Sequence, residues 1–393
     1  MTKYDYLIVG GGMTADAATK AIRSIDTNGT IGMYCEEPHP PYKRPPLSKK
    51  LWKGKPLDIV KLKTAERNVD ILTGRSITGL DIASHTATDD AGDVVGYGKL
   101  LMAVGGSPRK LPFGGDDIIY YRTLDDYLRL REMAETGDDF AVIGGGFVGS
   151  EIAAALTSIG KKVTLIMPEN DICSRAFPVD LARFVTDYYK DKGVKILSGR
   201  TCEDMSLNGS KRILKTNAGE EIVVDGVVAG IGIRPNIALA ESAGLPVGDG
   251  IITASNLTAG NPDVFAAGDC AAFVSPATGM LIRVEHEDNA LKMGKAAGLA
   301  MAGENVAYEY LPMFYSDMFD LGYEAVGQVN SKLETFADWK KPYDTGVLYF
   351  LQEGLVRGAL LWNVWDKTDE ARKLIMDPGP FGPEDLKGRI TAD

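Results

Sequence analysis

The chain has few cysteines and few histidines. Its 393 residues include four cysteines and three histidines, and no two cysteines have the spacing of a CxxC or CxxxxC pair. That spacing argues against a redox-active disulfide between sequence neighbours, and the scarcity of histidine argues against a histidine-rich metal site. We interpret the cysteines as isolated thiols.

Excess positive charge and long apolar runs are also absent. The formal net charge is −11, and no apolar run approaches the ~20 residues of a membrane-spanning helix. The negative charge argues against binding to nucleic acid or to anionic membranes. A strand-like run, Tyr4 to Val9, begins almost at the first residue, so we expect no signal peptide in the given sequence, although a processed form would look the same. We therefore expect a cytoplasmic protein.

Glycine, in contrast, is abundant at 45 residues, and one glycine-rich pattern occurs twice. Each copy has an apolar strand, a glycine-rich turn, a helix-like stretch, a second apolar strand and then an acidic residue. The turn and acidic residues are Gly10, Gly12, Ala15 and Glu36 in the first copy, and Gly144, Gly146, Gly149 and Glu169 in the second.

The spacing within each copy has a physical meaning. The first glycine permits a tight turn, the second lets the backbone approach a pyrophosphate, and the third small residue lets helix and strand pack. The phosphates then lie at a helix N-terminus, and the later acid binds a ribose hydroxyl. Two complete copies predict two dinucleotide sites in an α/β protein.

The rest of the chain indicates how the domains are arranged. Short strands and turns fill residues 72–103, and the same character returns over residues 190–236. We predict a first domain of residues 1–112 and 240–307, an inserted second domain of 113–239, and an α+β C-terminal domain of 308–393. The last contains a hairpin near residues 347–362, and the tail from Asp377 is predicted to be irregular.

Several segments resemble one known superfamily, the FAD-dependent pyridine nucleotide-disulfide oxidoreductases. Within it, the resemblance is to the branch of ferredoxin and rubredoxin reductases, apoptosis-inducing factor and monodehydroascorbate reductase. The segments that carry it are Pro41–Lys49, Ala103–Gly106, Gly232–Asn236, Val264–Asp269, Arg283–His286 and Tyr310–Ser316. The resemblance implies two Rossmann-like domains of the three-layer ββα type, the second inserted in the first, followed by a C-terminal reductase or dimerisation-like domain.

The resemblance also implies which cofactor each site holds. The first site would bind FAD, with contributions from Gly10, Gly12, Ala15, Glu36, Arg44, Lys49, Ala103, Gly105, Asp269, Glu285 and His286. The second would bind the nicotinamide cofactor, through Gly144, Gly146, Gly149, Glu169 and Gly232. A carboxylate at Glu169 accepts hydrogen bonds from a ribose 2′-hydroxyl and repels a 2′-phosphate. We therefore predict NADH over NADPH, although the nearby Arg175 would suit a phosphate.

Lys49 and Glu151 are predicted to be catalytic. In resembling proteins a lysine and a glutamate at these motif positions form an ion pair beside the flavin, where a fixed ammonium favours the negative charge that develops on reduction. The spacing places Glu151 in the first turn of the second glycine-rich helix. No cysteine lies between Pro45 and Trp52, where disulfide reductases of the superfamily carry theirs. Electrons would therefore leave directly from the flavin.

The electron acceptor remains open between three hypotheses. The first is a small iron–sulfur protein, ferredoxin or rubredoxin, steered by the basic stretch 43–67, whose nine basic and two acidic residues give +7 in a chain of −11. The second is a small organic radical or quinone, held by Arg283 and Tyr315 as the resemblance to monodehydroascorbate reductases implies. The third is a redox-sensing interaction protein similar to apoptosis-inducing factor. A homodimer is left open.

Overall fold

The computed structural model describes residues 1–391 of the chain, and within that range no helix combines the length and apolar character of a membrane span. The described residues form two compact units. Unit 1 contains Met1–Lys43, Leu57–Ser107 and Arg234–Pro312. Unit 2 contains Arg44–Pro56, Pro108–Ile233 and the chain from Met313 onward.

Eight α-helices are present among residues 1–391. They are α1 (Met13–Ile25), α2 (Leu124–Thr136), α3 (Phe147–Ser158), α4 (Val179–Asp191), α5 (Ala238–Ser242), α6 (Glu287–Met301), α7 (Thr368–Met376) and α8 (Pro383–Leu386).

The same residues contain 26 strands. They are β1 (Thr2–Val9), β2 (Ile31–Cys35), β3 (Asp70–Thr73), β4 (Ile77–Asp81), β5 (Thr86–Asp89), β6 (Val94–Met102), β7 (Gly106–Pro108), β8 (Ile118–Tyr120), β9 (Asp139–Ile143), β10 (Lys162–Met167), β11 (Lys195–Ser198), β12 (Cys202–Asn208), β13 (Lys211–Thr216), β14 (Glu221–Val224), β15 (Gly226–Ala229), β16 (Ile233–Pro235), β17 (Val247–Gly248), β18 (Gly250–Ile252), β19 (Val264–Ala266), β20 (Ala271–Val274), β21 (Leu281–Arg283), β22 (Met313–Met318), β23 (Leu321–Gly327), β24 (Glu334–Lys341), β25 (Thr345–Gln352) and β26 (Leu355–Trp362).

Unit 1 is built on a seven-stranded sheet. Its parallel part has the order β3-β2-β1-β6, with β19 also parallel to β6, while β5 and β4 extend the sheet antiparallel. Helices α1 and α6 pack closely because α6 presents glycines to α1. A Cβ on Gly294 would lie 2.4 Å from the Thr14 carbonyl oxygen, and one on Gly298 would lie 2.3 Å from that of Ala18. This packing holds the start of α1 against the sheet.

Unit 2 repeats the plan of parallel strands and a helix. Its five-stranded parallel sheet has the order β11-β10-β9-β15-β8, and β12, β13 and β14 form a separate antiparallel sheet. The buried strands β9 and β15 read as continuous apolar runs, as expected of a parallel sheet covered on both faces. The chain beyond Met313 adds a five-stranded antiparallel sheet, β22-β23-β26-β25-β24.

The predicted fold class is confirmed, because two glycine-rich strand–turn–helix units lie in parallel sheets and an antiparallel sheet follows them. The predicted hairpin is present as β25 and β26, joined at Glu353 and Gly354, both with positive φ. The tail is more regular than predicted, since α8 forms within it. The domain boundaries at residues 112, 239 and 307 stay a prediction.

Candidate functional site

The first glycine-rich turn forms an open cradle at the start of α1, in unit 1. Gly10 has a φ of +118°, and a Cβ there would lie 2.2 Å from the carbonyl oxygen of Ala103. Gly12, the N-cap residue of α1, would place its Cβ in open space, and no side chain caps the helix there. Ala15 is fully buried, as close helix–strand packing requires. The backbone at Gly12 therefore remains accessible to a ligand.

The second turn has the same construction in unit 2. Gly144 has a φ of +107°, and a Cβ there would lie 2.5 Å from the carbonyl oxygen of Gly230. Gly146, the N-cap residue of α3, faces open space, again without a side-chain cap. A Cβ on Gly149 would lie only 1.9 Å from the Gly144 carbonyl oxygen, so glycine is required at that position.

Both cradles fit a dinucleotide pyrophosphate. Each leaves helix N-terminal N–H groups uncapped by side chains and has a glycine whose missing Cβ leaves room for phosphate oxygens. Glu36 is the first residue after β2, and Glu169 lies two residues beyond the end of β10. The acids therefore follow the strands as the motif requires.

Glu169 has a partner of its own in unit 2. Its Oε1 lies 2.6 Å from Nη2 of Arg175, whose side chain is 87% exposed. The carboxylate side chain is 25% exposed. The arginine that would suit a 2′-phosphate is therefore held by the same carboxylate that would repel one.

Lys49 and Glu151 form a buried ion pair in unit 2. Lys49 Nζ lies 2.6 Å from Glu151 Oε1, and the two side chains are only 9% and 7% exposed. The carboxylate also accepts hydrogen bonds from two hydroxyls, Ser48 Oγ at 2.6 Å and Ser316 Oγ at 2.5 Å. The structure thus brings the predicted pair together and adds two serines that the sequence did not single out.

The position of Glu151 corrects the sequence-based expectation. Glu151 is the fifth residue of α3 and not in its first turn, which carries no acidic residue. Lys49 is the C-cap residue of a 3-10 helix formed by Pro45–Ser48. This helix is fixed at the Leu47 carbonyl oxygen, which accepts hydrogen bonds from Tyr121 Oη at 2.6 Å and Trp52 Nε1 at 2.8 Å.

Tyr315, on β22, completes this group. Lys49 Nζ lies 5.2 Å from the centroid of the Tyr315 ring, within the range of a cation–π interaction. The ammonium therefore has a carboxylate on one side and an aromatic ring on another. Four residues were predicted to act in catalysis, Lys49 and Glu151 at the flavin and Tyr315 and Arg283 at the acceptor, and the first three lie together.

The fourth, Arg283, belongs to a separate group in unit 1. Its guanidinium lies 2.6 Å from Glu285 Oε1 and 3.2 Å from Asp249 Oδ1, and it donates a hydrogen bond of 3.1 Å to the Asp269 carbonyl oxygen. Its side chain is 9% exposed. Arg283 is therefore engaged by two carboxylates, one of them the predicted cofactor ligand Glu285.

His286 and Asp269 occupy element boundaries in unit 1. His286 is the N-cap residue of α6, and Asp269 lies in the short 3-10 helix after β19. Burial lowers the pKa of His286 to about 4, and the carboxylates of Asp269 and Asp288 oppose that shift. The imidazole is therefore neutral at physiological pH.

The remaining predicted cofactor residues are found in turns. Arg44 Nη1 donates a hydrogen bond of 3.0 Å to the Arg122 carbonyl oxygen in unit 2. Gly105 and Gly232 have φ values of +62° and +91°, which favour glycine. Ala103 provides the carbonyl oxygen that a Cβ on Gly10 would meet. The binding roles of all these residues stay predictions.

The four cysteines are free thiols, and none is suited to act as a nucleophile. Burial raises the pKa of Cys35 and of Cys173 to about 12, and that of Cys202 and of Cys270 to about 11. Thiol chemistry requires the thiolate, which these groups do not form near neutral pH. Within residues 1–391, no three His, Cys, Asp or Glu side chains form a potential metal site.

Sequence reasoning missed Ser48, Ser316, Tyr121 and Trp52. A weak signal was present for the serines, because Ser48 precedes Lys49 in the most specific motif and Ser316 follows Tyr315. No comparable signal pointed to Tyr121, which lies 74 residues from Leu47 in the chain. Two dinucleotide cradles together with a buried lysine–glutamate pair define the class, a nicotinamide-dependent flavoprotein oxidoreductase.

Comparison with known proteins gives the family. Residues 4–294 match the model of the pyridine nucleotide-disulphide oxidoreductases, and residues 297–342 match the C-terminal domain of mitochondrion-associated apoptosis-inducing factor. The chain belongs to the pyridine nucleotide-disulphide oxidoreductase family and is an FAD-dependent NAD(P)H oxidoreductase. The resemblance found in the sequence is thereby confirmed.

Individual relatives span most of the chain. The mitochondrial apoptosis-inducing factor 1 of Dictyostelium discoideum is 32% identical over 95% of this chain and 78% of its own length. The ferredoxin–NAD(+) reductase component of the 3-phenylpropionate/cinnamic acid dioxygenase of Photorhabdus laumondii is 29% identical over 96% and 98%. Putidaredoxin reductase, solved in covalent complex with putidaredoxin, is 26% identical, with a TM-score of 0.91 over 98% and 96%.

Proposed function

We propose that the chain is an NADH-dependent reductase of a small acidic iron–sulfur carrier of the ferredoxin type. The observation that carries the proposal is the segment Arg44–Pro56, which places the buried Lys49 close in sequence to three exposed lysines. The ferredoxin–NAD(+) reductase component of Photorhabdus laumondii, similar over almost the whole chain, supports the acceptor class.

The carrier surface is formed by Lys50, Lys53 and Lys55, which we term the lysine surface. All three residues are exposed, and none has an ion pair among residues 1–391. Lys53 does lie near Asp320, whose pKa is lowered mainly by Lys192 and also by Lys53. Other charges of the basic stretch are neutralised locally, since Lys61 pairs with Asp58 and Arg67 pairs with the buried Asp16. Asp16 and Glu151, two acids from outside the stretch, pair with Arg67 and Lys49 and offset two of its seven excess positive charges. Unpaired lysines attract an acidic carrier and raise the association rate at low ionic strength.

FAD, when bound, links a two-electron hydride donor to one-electron acceptors. The first cradle, with Gly10, Gly12 and Glu36, is proposed to hold its pyrophosphate and adenosine ribose. Lys49 is proposed to provide a fixed positive charge for the reduced cofactor, and Glu151 holds that ammonium in place. A preorganised charge in a dry site stabilises developing negative charge more than a solvated one.

NADH is proposed to bind the second cradle, at Gly144, Gly146 and Gly149. Glu169 would accept hydrogen bonds from the ribose hydroxyls and repel a 2′-phosphate. The ion pair with Arg175 supports this preference, because it occupies the only residue that the sequence suggested for a phosphate. Because the Arg175 guanidinium is exposed, the preference for NADH over NADPH depends on the Glu169 carboxylate that holds it.

A second candidate is the reduction of a small organic radical or quinone. Tyr315 favours it, because an aromatic ring against the Lys49 ammonium suits a flat anionic acceptor. The environment of Arg283 argues against a small anionic acceptor there, because the guanidinium already pairs with Asp249 and Glu285. The third hypothesis, an interaction protein similar to apoptosis-inducing factor, predicts slow oxidation of the reduced protein by every acceptor.

Rapid mixing of the NADH-reduced protein with acceptors, without oxygen, tests the proposal. The acceptors are ferredoxin, rubredoxin, ascorbyl radical and a quinone, and flavin absorbance reports reoxidation. The double variant Lys53→Glu/Lys55→Glu should slow reoxidation by the iron–sulfur carrier about tenfold or more at low salt and leave reduction by NADH unchanged. The control Lys20→Glu/Lys215→Glu changes the net charge equally at two other exposed lysines that form no ion pairs within the described residues.

Equal effects of the two double variants would remove the lysine surface from the proposal. Reoxidation only by the radical or the quinone would replace the carrier by a small acceptor. Three further expectations stay predictions. Sedimentation tests the homodimer, cell fractionation tests the cytoplasmic location, and limited proteolysis tests the boundaries of the three domains.

A further inference from the structure

The Glu151 carboxylate is surrounded by hydrogen-bond donors from two other segments of unit 2. Lys49 Nζ and Ser316 Oγ both lie against Oε1, at 2.6 and 2.5 Å, while Ser48 Oγ lies 2.6 Å from Oε2. An ionised carboxylate only accepts hydrogen bonds, so both hydroxyls donate. Such donors restrict the orientation of the carboxylate.

Ser316 differs from Ser48 in how it is held. Ser316 is 1% exposed and lies in the middle of β22, where it pairs in register with the buried Tyr323 of β23. The Ser316 hydroxyl is therefore attached to a backbone position that the sheet fixes, and it is shielded from water. The neighbouring helix residue Ser150 is not an alternative donor, because its hydroxyl donates to the Phe147 carbonyl oxygen at 2.9 Å.

The 3-10 helix that carries Lys49 is fixed independently at the Leu47 carbonyl oxygen by Tyr121 and Trp52. The backbone before Lys49 is therefore set by these two hydrogen bonds. The long, flexible lysine side chain is not set by them. Among residues 1–391 its ammonium forms an ion pair with Glu151 Oε1, and that oxygen is the one that Ser316 also contacts.

We propose that Ser316 is a positioning residue that holds the Glu151 carboxylate, and through it the Lys49 ammonium, in one geometry. Strand β22, beyond the part of the chain that matches the oxidoreductase family model, thereby completes the ion-pair site. The consequence for the bound flavin rests on the proposed function of Lys49. The consequence for Glu151 itself does not.

The titratable groups around Glu151 allow a direct measurement. Besides Lys49, they are Tyr121, Cys173, Tyr189 and Tyr323. Burial raises the pKa of each of these phenols and of the thiol above its ordinary value, so all four keep their protons below pH 9. None of the four therefore contributes an ionised band near neutral pH, and the carboxylate band of this site can be assigned by its loss in Glu151→Gln.

The experiment compares the FAD-loaded wild type with Ser316→Ala, Ser316→Thr and the exposed control Ser206→Ala. Infrared spectra at one neutral pH report the carboxylate stretching band that disappears in Glu151→Gln. In Ser316→Ala this band should shift, because one hydrogen bond to Oε1 is lost. Ser316→Thr, which keeps a hydroxyl, should restore it, and Ser206→Ala should not move it.

A redox titration of the bound flavin separates this inference from the proposed function. If Lys49 acts on the flavin, Ser316→Ala should shift the midpoint potential to more negative values, and Ser316→Thr should reverse the shift. A carboxylate band that shifts without a change in potential supports the role of Ser316 and removes Lys49 from the flavin. An unchanged carboxylate band in Ser316→Ala overturns the inference.

Discussion

Lys49 and Glu151 are 102 residues apart in the chain, and their side chains meet at 2.6 Å in a site that excludes most water. Two serine hydroxyls and the Tyr315 ring surround the same pair. A buried ion pair gives little net stability, because desolvation offsets its Coulombic attraction. The catalytic role proposed for the pair stays a prediction, and its burial leads to a specific expectation for stability.

Replacement of one partner of this pair should destabilise the protein more than replacement of both. Lys49→Met leaves Glu151 buried without its counter-charge and should lower the free energy of unfolding by about 3–5 kcal/mol. The double variant Lys49→Met/Glu151→Gln should recover most of that loss. Denaturant unfolding of the two variants and of wild type measures it. Additive losses in the double variant would show that the two side chains are not coupled.

The preference for NADH should depend on Glu169 and its ion pair with Arg175. Glu169→Ala removes the repulsion and frees the guanidinium, so kcat/KM for NADPH should rise about tenfold while that for NADH falls. The double variant Glu169→Ala/Arg175→Ala should lose the gain with NADPH and keep the loss with NADH. Steady-state kinetics with both cofactors test this. A wild-type kcat/KM that is higher for NADPH would contradict the predicted preference.

The two open glycines should separate the two cofactors. Gly12 and Gly146 have φ values of −96° and −81° and open space where a Cβ would be, so alanine should be tolerated in the fold. Gly12→Ala should weaken FAD retention, and Gly146→Ala should raise KM for NADH. Each effect should be about tenfold, equivalent to ~1.4 kcal/mol of lost phosphate hydrogen bonds.

Flavin content after gel filtration and NADH titration measure these two effects. The variants serve as controls for one another, because each changes one cradle only. The reverse assignment, with Gly12→Ala affecting only NADH, would exchange the cofactors between the cradles. A loss of folded protein in either variant would show that the space is needed by the chain itself.

His286 should make the protein sensitive to acid. Its pKa is about 4 in the folded protein because of burial, compared with 6.5 for an ordinary histidine. The neutral imidazole is therefore favoured by folding, and its contribution is fully present above pH 6.5. As the pH falls from 6.5 to 4, the unfolded chain takes up a proton that the folded chain does not. This should cost about 3 kcal/mol of stability at pH 4.

The measurement is denaturant unfolding of wild type and His286→Gln between pH 7 and pH 4. The variant cannot bind this proton, so its stability should fall by about 3 kcal/mol less than that of wild type over the same range. Parallel curves for the two proteins would contradict the predicted environment of the imidazole.

The sequence was sufficient for the features that local spacing controls. The glycine-rich turns, with their strands β1 and β9 and helices α1 and α3, were predicted because a pyrophosphate cradle requires glycine at fixed intervals. The pairing of Lys49 with Glu151 was inferred only through a family resemblance. The predicted position of Glu151 in the first turn of α3 was wrong by part of a turn, because the spacing alone does not determine the first residue of the helix.

The contributions of Ser316, of Tyr121 and of the Glu169–Arg175 ion pair came only from the structure. Each of the first two depends on a contact between segments far apart in the chain, and no local pattern reports such a contact. The third depends on which way a loop directs an exposed guanidinium. The structure also showed which basic side chains are already in ion pairs, because Lys61, Arg67 and Arg283 each have a carboxylate partner.

By itself, the sequence determined that this chain contains two dinucleotide-binding units and lacks a disulfide motif, because both properties depend on residue identity at fixed local spacing. Only the tertiary structure decided which charges are buried together and which remain free. The physical reason is that desolvation and pairing depend on side chains brought together by folding from distant segments, as Lys49, Glu151 and Ser316 are.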